Sequence, residues 1–117
     1  MVKKGFEFVS AAAKRDFRAL PVPVDEQTAY LSDFDSLQQG LSPSSSITYL
    51  VGSVGRGAFE LKRNGSPAHR VVCCMKYLDT LFVLHAFAKS TNGVDTKNIA
   101  TASARYKELM ERVRDTG

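Results

Sequence analysis

A chain of 117 residues is long enough for one hydrophobic core and too short for two. Its 44% hydrophobic and 24% charged residues are ordinary for a soluble globular protein. The longest apolar stretches, residues 71–75 and 81–88, are too short to cross a bilayer. The net charge of +4 favours a polyanionic partner, though weakly and without sequence preference.

At the N-terminus, Lys3 and Lys4 have no apolar run behind them, so no signal peptide is expected and a cytoplasmic protein is the natural reading. Residues 5–9 alternate apolar and polar, which predicts a short strand. Ser10 stands at an N-cap position, and Ala13, Phe17 and Leu20 follow at helical spacing until Pro21 and Pro23 stop the helix. A second helix is expected from Val24, with Asp25 and Glu26 in its first turn and Gly40 closing it. Tyr30, Leu31, Phe34 and Leu37 fall on one face of it. Its acids Asp25, Glu26, Asp33 and Asp35 read as a solvated face or an attachment site for a basic partner.

Residues 41–57 are rich in serine and glycine and predict a loop, with the apolar insert 47–51 as a candidate edge strand. Gly52 to Gly57 lacks the Lys-Ser/Thr of a phosphate-binding loop. Three strands are predicted next, over residues 58–63, 69–76 and 81–89. Asn64-Gly65-Ser66-Pro67 is a turn signal between the first two, and the short connections favour an antiparallel meander. Asp95 is a good N-cap for a last helix whose apolar stripe is Ile99, Ala102, Tyr106, Leu109 or Met110, and Val113. The expected architecture is α+β, a single domain over residues 1–117: a small antiparallel sheet built from an N-terminal strand and a three-strand meander, with two N-terminal helices and one C-terminal helix.

Alternation along the hairpin places Phe59 and Leu61 on one face, with Glu60 and Lys62 on the other. Pairing across the turn can bring Lys62 and Arg70 onto the same surface, where like charges directly opposite cost a few tenths to about 1 kcal/mol unless an anion sits between them. On spacing alone, a solvated hairpin tip is the simpler reading. Lys89 shares strand parity with Leu81, Val83, His85 and Phe87, and a lone histidine in such a strand is more often structural than catalytic. His69, beside the turn, is expected to be exposed. Cys73 and Cys74 are adjacent, so they point to opposite faces and can neither bridge each other nor chelate one metal; free buried thiols are expected. No zinc spacing or Ser-His-Asp order is evident, and no carboxylate pair sits in strand or turn context.

Several short motifs occur in a telling order: Gly57-Ala58-Phe59-Glu60-Leu61-Lys62, His69-Arg70-Val71-Val72, Leu84-His85-Ala86-Phe87-Ala88-Lys89, and the helix from Ile99 to Arg105. This order resembles the RelE/HigB-type toxins of bacterial toxin–antitoxin systems, in particular their phage-derived branch. Members typically carry Glu-Leu-Arg, Tyr-Arg-Val, a Leu-His-x-Phe-x-Lys-Lys-like strand and a closing helix with Ala-x-x-Arg. The resemblance implies an mRNA interferase that uses a ribose 2′-hydroxyl to attack the neighbouring phosphate on the ribosome, with no metal or cofactor. It also implies an antitoxin partner of the helix-turn-helix DNA-binding kind, beside messenger RNA and the ribosome.

Carried over by position, Arg70 would stabilise the transition state and Lys62 would hold the substrate phosphate. Lys89 and His85 complete the catalytic set, Glu60 braces one of the cations, and Arg63, Arg56 and Lys76 are further RNA contacts. The chain departs from the pattern at His69, at Cys73-Cys74, at Lys62 in place of arginine and at Ser90 in place of a second lysine. Lysine lacks the bidentate grip of arginine. Two alternatives stand beside this reading: a ParE-like toxin that inhibits gyrase without RNA chemistry, and an inactive phage-derived binding module.

Overall fold

In the computed structural model, which describes residues 3–89 and 95–116, the chain order is β1 (Gly5–Phe8), α1 (Ala11–Arg18), α2 (Val24–Gln38), β2 (Ser46–Tyr49), β3 (Ala58–Arg63), β4 (His69–Cys74), β5 (Thr80–Ala88) and α3 (Thr96–Thr116). The described residues thus form an α+β fold of five strands and three helices, the strands making one sheet in the order β1-β5-β4-β3-β2. The helix signals act as expected. The Ser10 side chain accepts from the Ala13 N–H at 3.2 Å, and Asp95 accepts from the Asn98 N–H at 3.4 Å. Gly40 follows α2 with φ +79°, a left-handed conformation in which glycine ends helices at least cost. No helix among the described residues is long and apolar enough to cross a membrane.

Strands β2 to β5 pair antiparallel, as the short connections require. Strand β1 differs: it runs parallel to β5, with Phe6 beside Leu81 and Phe8 beside Val83, so the sheet is mixed. No hairpin ties β1 to its neighbour, which frees its direction to follow packing. The apolar insert expected as an edge strand is β2, one residue earlier at its start.

The sheet has a core on each face. Phe17, Tyr30, Phe34 and Leu37 of the first two helices, with Leu20 from the segment between them, pack on Phe59, Leu61, Val71 and Cys73. Ala102 and Leu109 of α3 pack on Ala58, Val72, Cys74, Phe82 and Leu84 on the other side. Cys73 and Cys74 therefore do face opposite ways, both buried and free, and burial pushes both thiols up.

Strict alternation fails in β5. Val72 pairs with His85, whereas Cys73 pairs with Val83, which leaves Leu84 as an extra residue in a bulge. Before the bulge, Leu81 and Val83 face α1 and α2; after it, Ala86 does so, and Phe87 joins the α3 core. His85 and Phe87 consequently lie on the face opposite to that of Leu81 and Val83, which corrects the shared parity expected from sequence.

Two expectations for α2 are also corrected. Leu31 is 51% exposed, outside the buried stripe of Tyr30, Phe34 and Leu37. Asp33 is only 2% exposed, so it is no part of a solvated acidic face. Its Oδ1 accepts from the Ser44 N–H and hydroxyl at 2.7 and 2.8 Å, and its Oδ2 from the Ser45 N–H and hydroxyl, which ties the loop before β2 to the helix. Asp33→Ala is expected to destabilise the fold by about 2–3 kcal/mol, since it strands those donors. Urea unfolding should show a lower midpoint at unchanged slope.

Candidate functional site

The hairpin register decides which side chains meet. Lys62 lies directly opposite Arg70, and Glu60 opposite Val72. On the other edge of β4, Arg70 pairs with Phe87 and Val72 with His85. Glu60, Lys62 and Arg70 therefore share the sheet face on which α3 packs. Arg70 Nε lies 3.9 Å from Glu60 Oε1, and Arg70 Nη1 donates to the Asn64 side chain at 3.3 Å and to the His69 carbonyl at 3.0 Å. Lys89 follows β5 directly, its backbone N–H donating to the Ala68 carbonyl at 2.8 Å.

Burial holds the Glu60 carboxyl above its ordinary range, against the opposing pull of Arg70, Lys62 and Lys89. Arg70 thus lies beside a shielded carboxylate, with Lys62 opposite it across the hairpin. The side chains of Arg70 and Glu60 are 12% and 13% exposed, so their interaction is less screened than that of a surface pair. Among the described residues, no group of three or more His, Cys, Asp or Glu could hold a metal ion.

His85 belongs to a separate network on the same face. It is 6% exposed and its ring stacks on Phe87, with centroids 5.3 Å apart. Its Nε2 lies 2.6 Å from Asn98 Oδ1, which assigns the proton to Nε2 and leaves Nδ1 to accept from Arg105 Nη1 at 3.1 Å. The same Arg105 nitrogen donates to Asp16 Oδ2 at 2.7 Å and to the Leu84 carbonyl at 3.1 Å. Asp16 Oδ2 also approaches His85 Nδ1 at 3.3 Å, a contact explained by their shared guanidinium. Both ring nitrogens are engaged, so His85 is suited to hold its neighbours in place rather than to exchange a proton with a ligand. Asp16 and Asn98 escaped the residue-level reading; Arg105, the arginine of the closing Ala-x-x-Arg motif, was expected to be exposed or to cap the sheet, and its side chain is 13% exposed against β5.

The remaining expected RNA contacts lie apart. Arg63 is on the opposite face, where its Nε donates to the Glu26 carboxylate, and this pair holds Glu26 below its ordinary range. Arg56 and Lys76 flank the far end of the β3–β4 pairing, beyond Ala58 and Cys74. There the Arg56 carbonyl accepts from Tyr106 Oη at 2.8 Å, and Gly57 at φ +84° sits so close to Lys76 that a Cβ would lie 2.7 Å from the lysine Cβ. Ser90 lies outside the described residues.

His69 is 1% exposed, which corrects its expected exposure. Tyr30 Oη lies 2.7 Å from His69 Nδ1 and donates to the His69 carbonyl at 3.2 Å, so this tyrosine fixes the strand position directly before Arg70. Burial holds the His69 imidazole below its ordinary range; Glu26 opposes the shift, and Arg63 and Arg70 add to it. The unfolded chain takes up this proton near pH 6.5, where the native state resists it. Stability from this group is therefore present above about pH 6.5 and is lost as pH falls through the native value below. Urea unfolding between pH 7.5 and 5.5 should show that loss, and His69→Gln should flatten it.

Among curated proteins, none matches the chain. A family model matches residues 15–107, which span the second half of α1, all of α2, β2, β3, β4 and β5, and the first half of α3. With well over half of its length matched, the chain belongs to the phage-derived Gp49-like protein family (DUF891), a toxin-like family of the RelE type.

Proposed function

We propose that this chain is the toxin of a toxin–antitoxin pair and an endoribonuclease that cleaves messenger RNA on the ribosome. The observation that carries the reading is Lys62 paired with Arg70 on the sheet face of Glu60, with Lys89 directly after the neighbouring strand β5. Cleavage by a 2′-hydroxyl needs a base for that hydroxyl, cations for the charge developing on phosphorus-bound oxygen, and an acid for the departing 5′-oxygen.

Glu60 takes the 2′ proton in this scheme: a carboxyl held above its ordinary range is the stronger base once ionised. The 2′-oxygen then bonds to phosphorus as the bond to the 5′-oxygen breaks, giving a cyclic phosphate and a 5′-hydroxyl end. Arg70 faces the phosphoryl oxygens with its planar guanidinium, and Lys62 adds a point charge from the opposite strand. The departing oxygen takes its proton from a flanking ammonium, Lys62 or Lys89. His85 acts as a positioning residue through Phe87 and Arg105. The expected partner is an antitoxin that masks this basic face until it is removed.

Induction of the wild-type chain in bacteria, followed by transcriptome-wide mapping of RNA 5′ ends, tests the reading. New 5′-hydroxyl ends inside coding regions are expected, with Arg70→Ala reducing them by about 10²- to 10³-fold. Growth arrest without such ends contradicts cleavage and points to a binding target such as DNA gyrase.

A further inference from the structure

An open cleft of about 250 Å³ lies at the end of the hairpin, lined by Glu26, Ser44, Ser46, Lys62, Arg63 and Asn64 among others. Two of these residues also belong to the candidate site. Lys62 is the cross-strand partner of Arg70, and the Asn64 side chain accepts from Arg70 Nη1. The cleft is therefore continuous with the cation cluster and wraps the sheet end, from the face of Lys62 to the face of Arg63.

Its chemistry is mixed. Arg63 Nη1 lies 3.5 and 3.4 Å from the Ser44 and Ser45 hydroxyls, while Glu26 engages Nε and neutralises part of the charge. Ser46, directly opposite Lys62, is exposed. Weak, long contacts at Nη1 leave it open to exchange serine hydroxyls for a better acceptor. The volume falls below the roughly 300–1,000 Å³ of clefts that take drug-sized ligands, which suits a single phosphate–ribose unit. Hydroxyl and amide groups beside two cations match that unit, with its anionic oxygens and its hydroxyls that both donate and accept.

We infer that this cleft is an RNA subsite that holds the phosphate and ribose next to the scissile phosphate, so that the strand leaves the Lys62–Arg70 pair over Asn64. The inference rests on the RNA-cleaving reading above. It gives Arg63 a place on the substrate although it faces away from Glu60.

Fluorescence anisotropy with short RNA analogues lacking the scissile 2′-hydroxyl tests it. A labelled dinucleotide with one phosphate reaches Lys62 and Arg70 alone, and two trinucleotides extend it at the 5′ or the 3′ end. One trinucleotide should bind about tenfold more tightly than the dinucleotide, the worth of one charge-assisted contact. Its salt dependence should be steeper by about 0.7 in log K against log salt. Ser46→Glu should abolish that gain, and Ser46→Lys should keep or enlarge it. Equal affinity of all three probes, or a gain that S46E leaves intact, would overturn the subsite while the dinucleotide's dependence on Arg70 still upheld the cleavage site. Loss of Arg70-dependent binding by every probe would overturn both.

Discussion

Strand β5 sits between the parallel β1 and the antiparallel β4, and it is buried on both faces from Leu81 to Phe87. Every helix packs against one side of it or the other, so its register fixes where the two cores lie. The bulge at Leu84 is the constraint on which the candidate site depends. Without the extra residue, His85 and Phe87 would face the first two helices; with it, they turn toward α3 and line up with Arg70 and Val72. The local disruption of the ladder is offset by the Arg105 guanidinium, which has only hydrogen-bond donors and gives one to the Leu84 carbonyl at the bulge.

Two polar networks then hold the cation cluster from opposite sides. On the α3 face, Asp16, Arg105, His85 and Asn98 join α1, β5 and α3. On the other, Tyr30, His69, Glu26 and Arg63 join α2 to the ends of β3 and β4. Arg70 lies between them, anchored through the His69 carbonyl and through Asn64. Preorganisation of this kind is what electrostatic catalysis requires, because the cations need not be gathered again at each turnover.

Much of this was legible in the sequence. Strand β3 was delimited to the residue by alternation and the turn signal after it, and the pairing of Lys62 with Arg70 was one that this turn allowed. The bulge was not legible, since β5 is otherwise apolar on both faces and the single His85 does not by itself reveal which face it takes. The direction of β1 depends on packing over 70 residues away in the chain, which no local pattern carries. His69 and Asp33 misled for a similar reason: each has polar neighbours in sequence, while its partners Tyr30, Ser44 and Ser45 are brought up only by the fold.

In the proposed function Glu60 exchanges a proton with RNA beside Arg70 and Lys62. Single-turnover cleavage of ribosome-bound messenger RNA, measured across pH for wild type and Glu60→Gln, tests this most directly. The wild-type rate is expected to rise with pH through a carboxylate-like transition above the ordinary glutamate range. In Glu60→Gln the rate should be low, with that transition gone. Cleavage by Glu60→Gln at the wild-type rate and with the wild-type profile would contradict it.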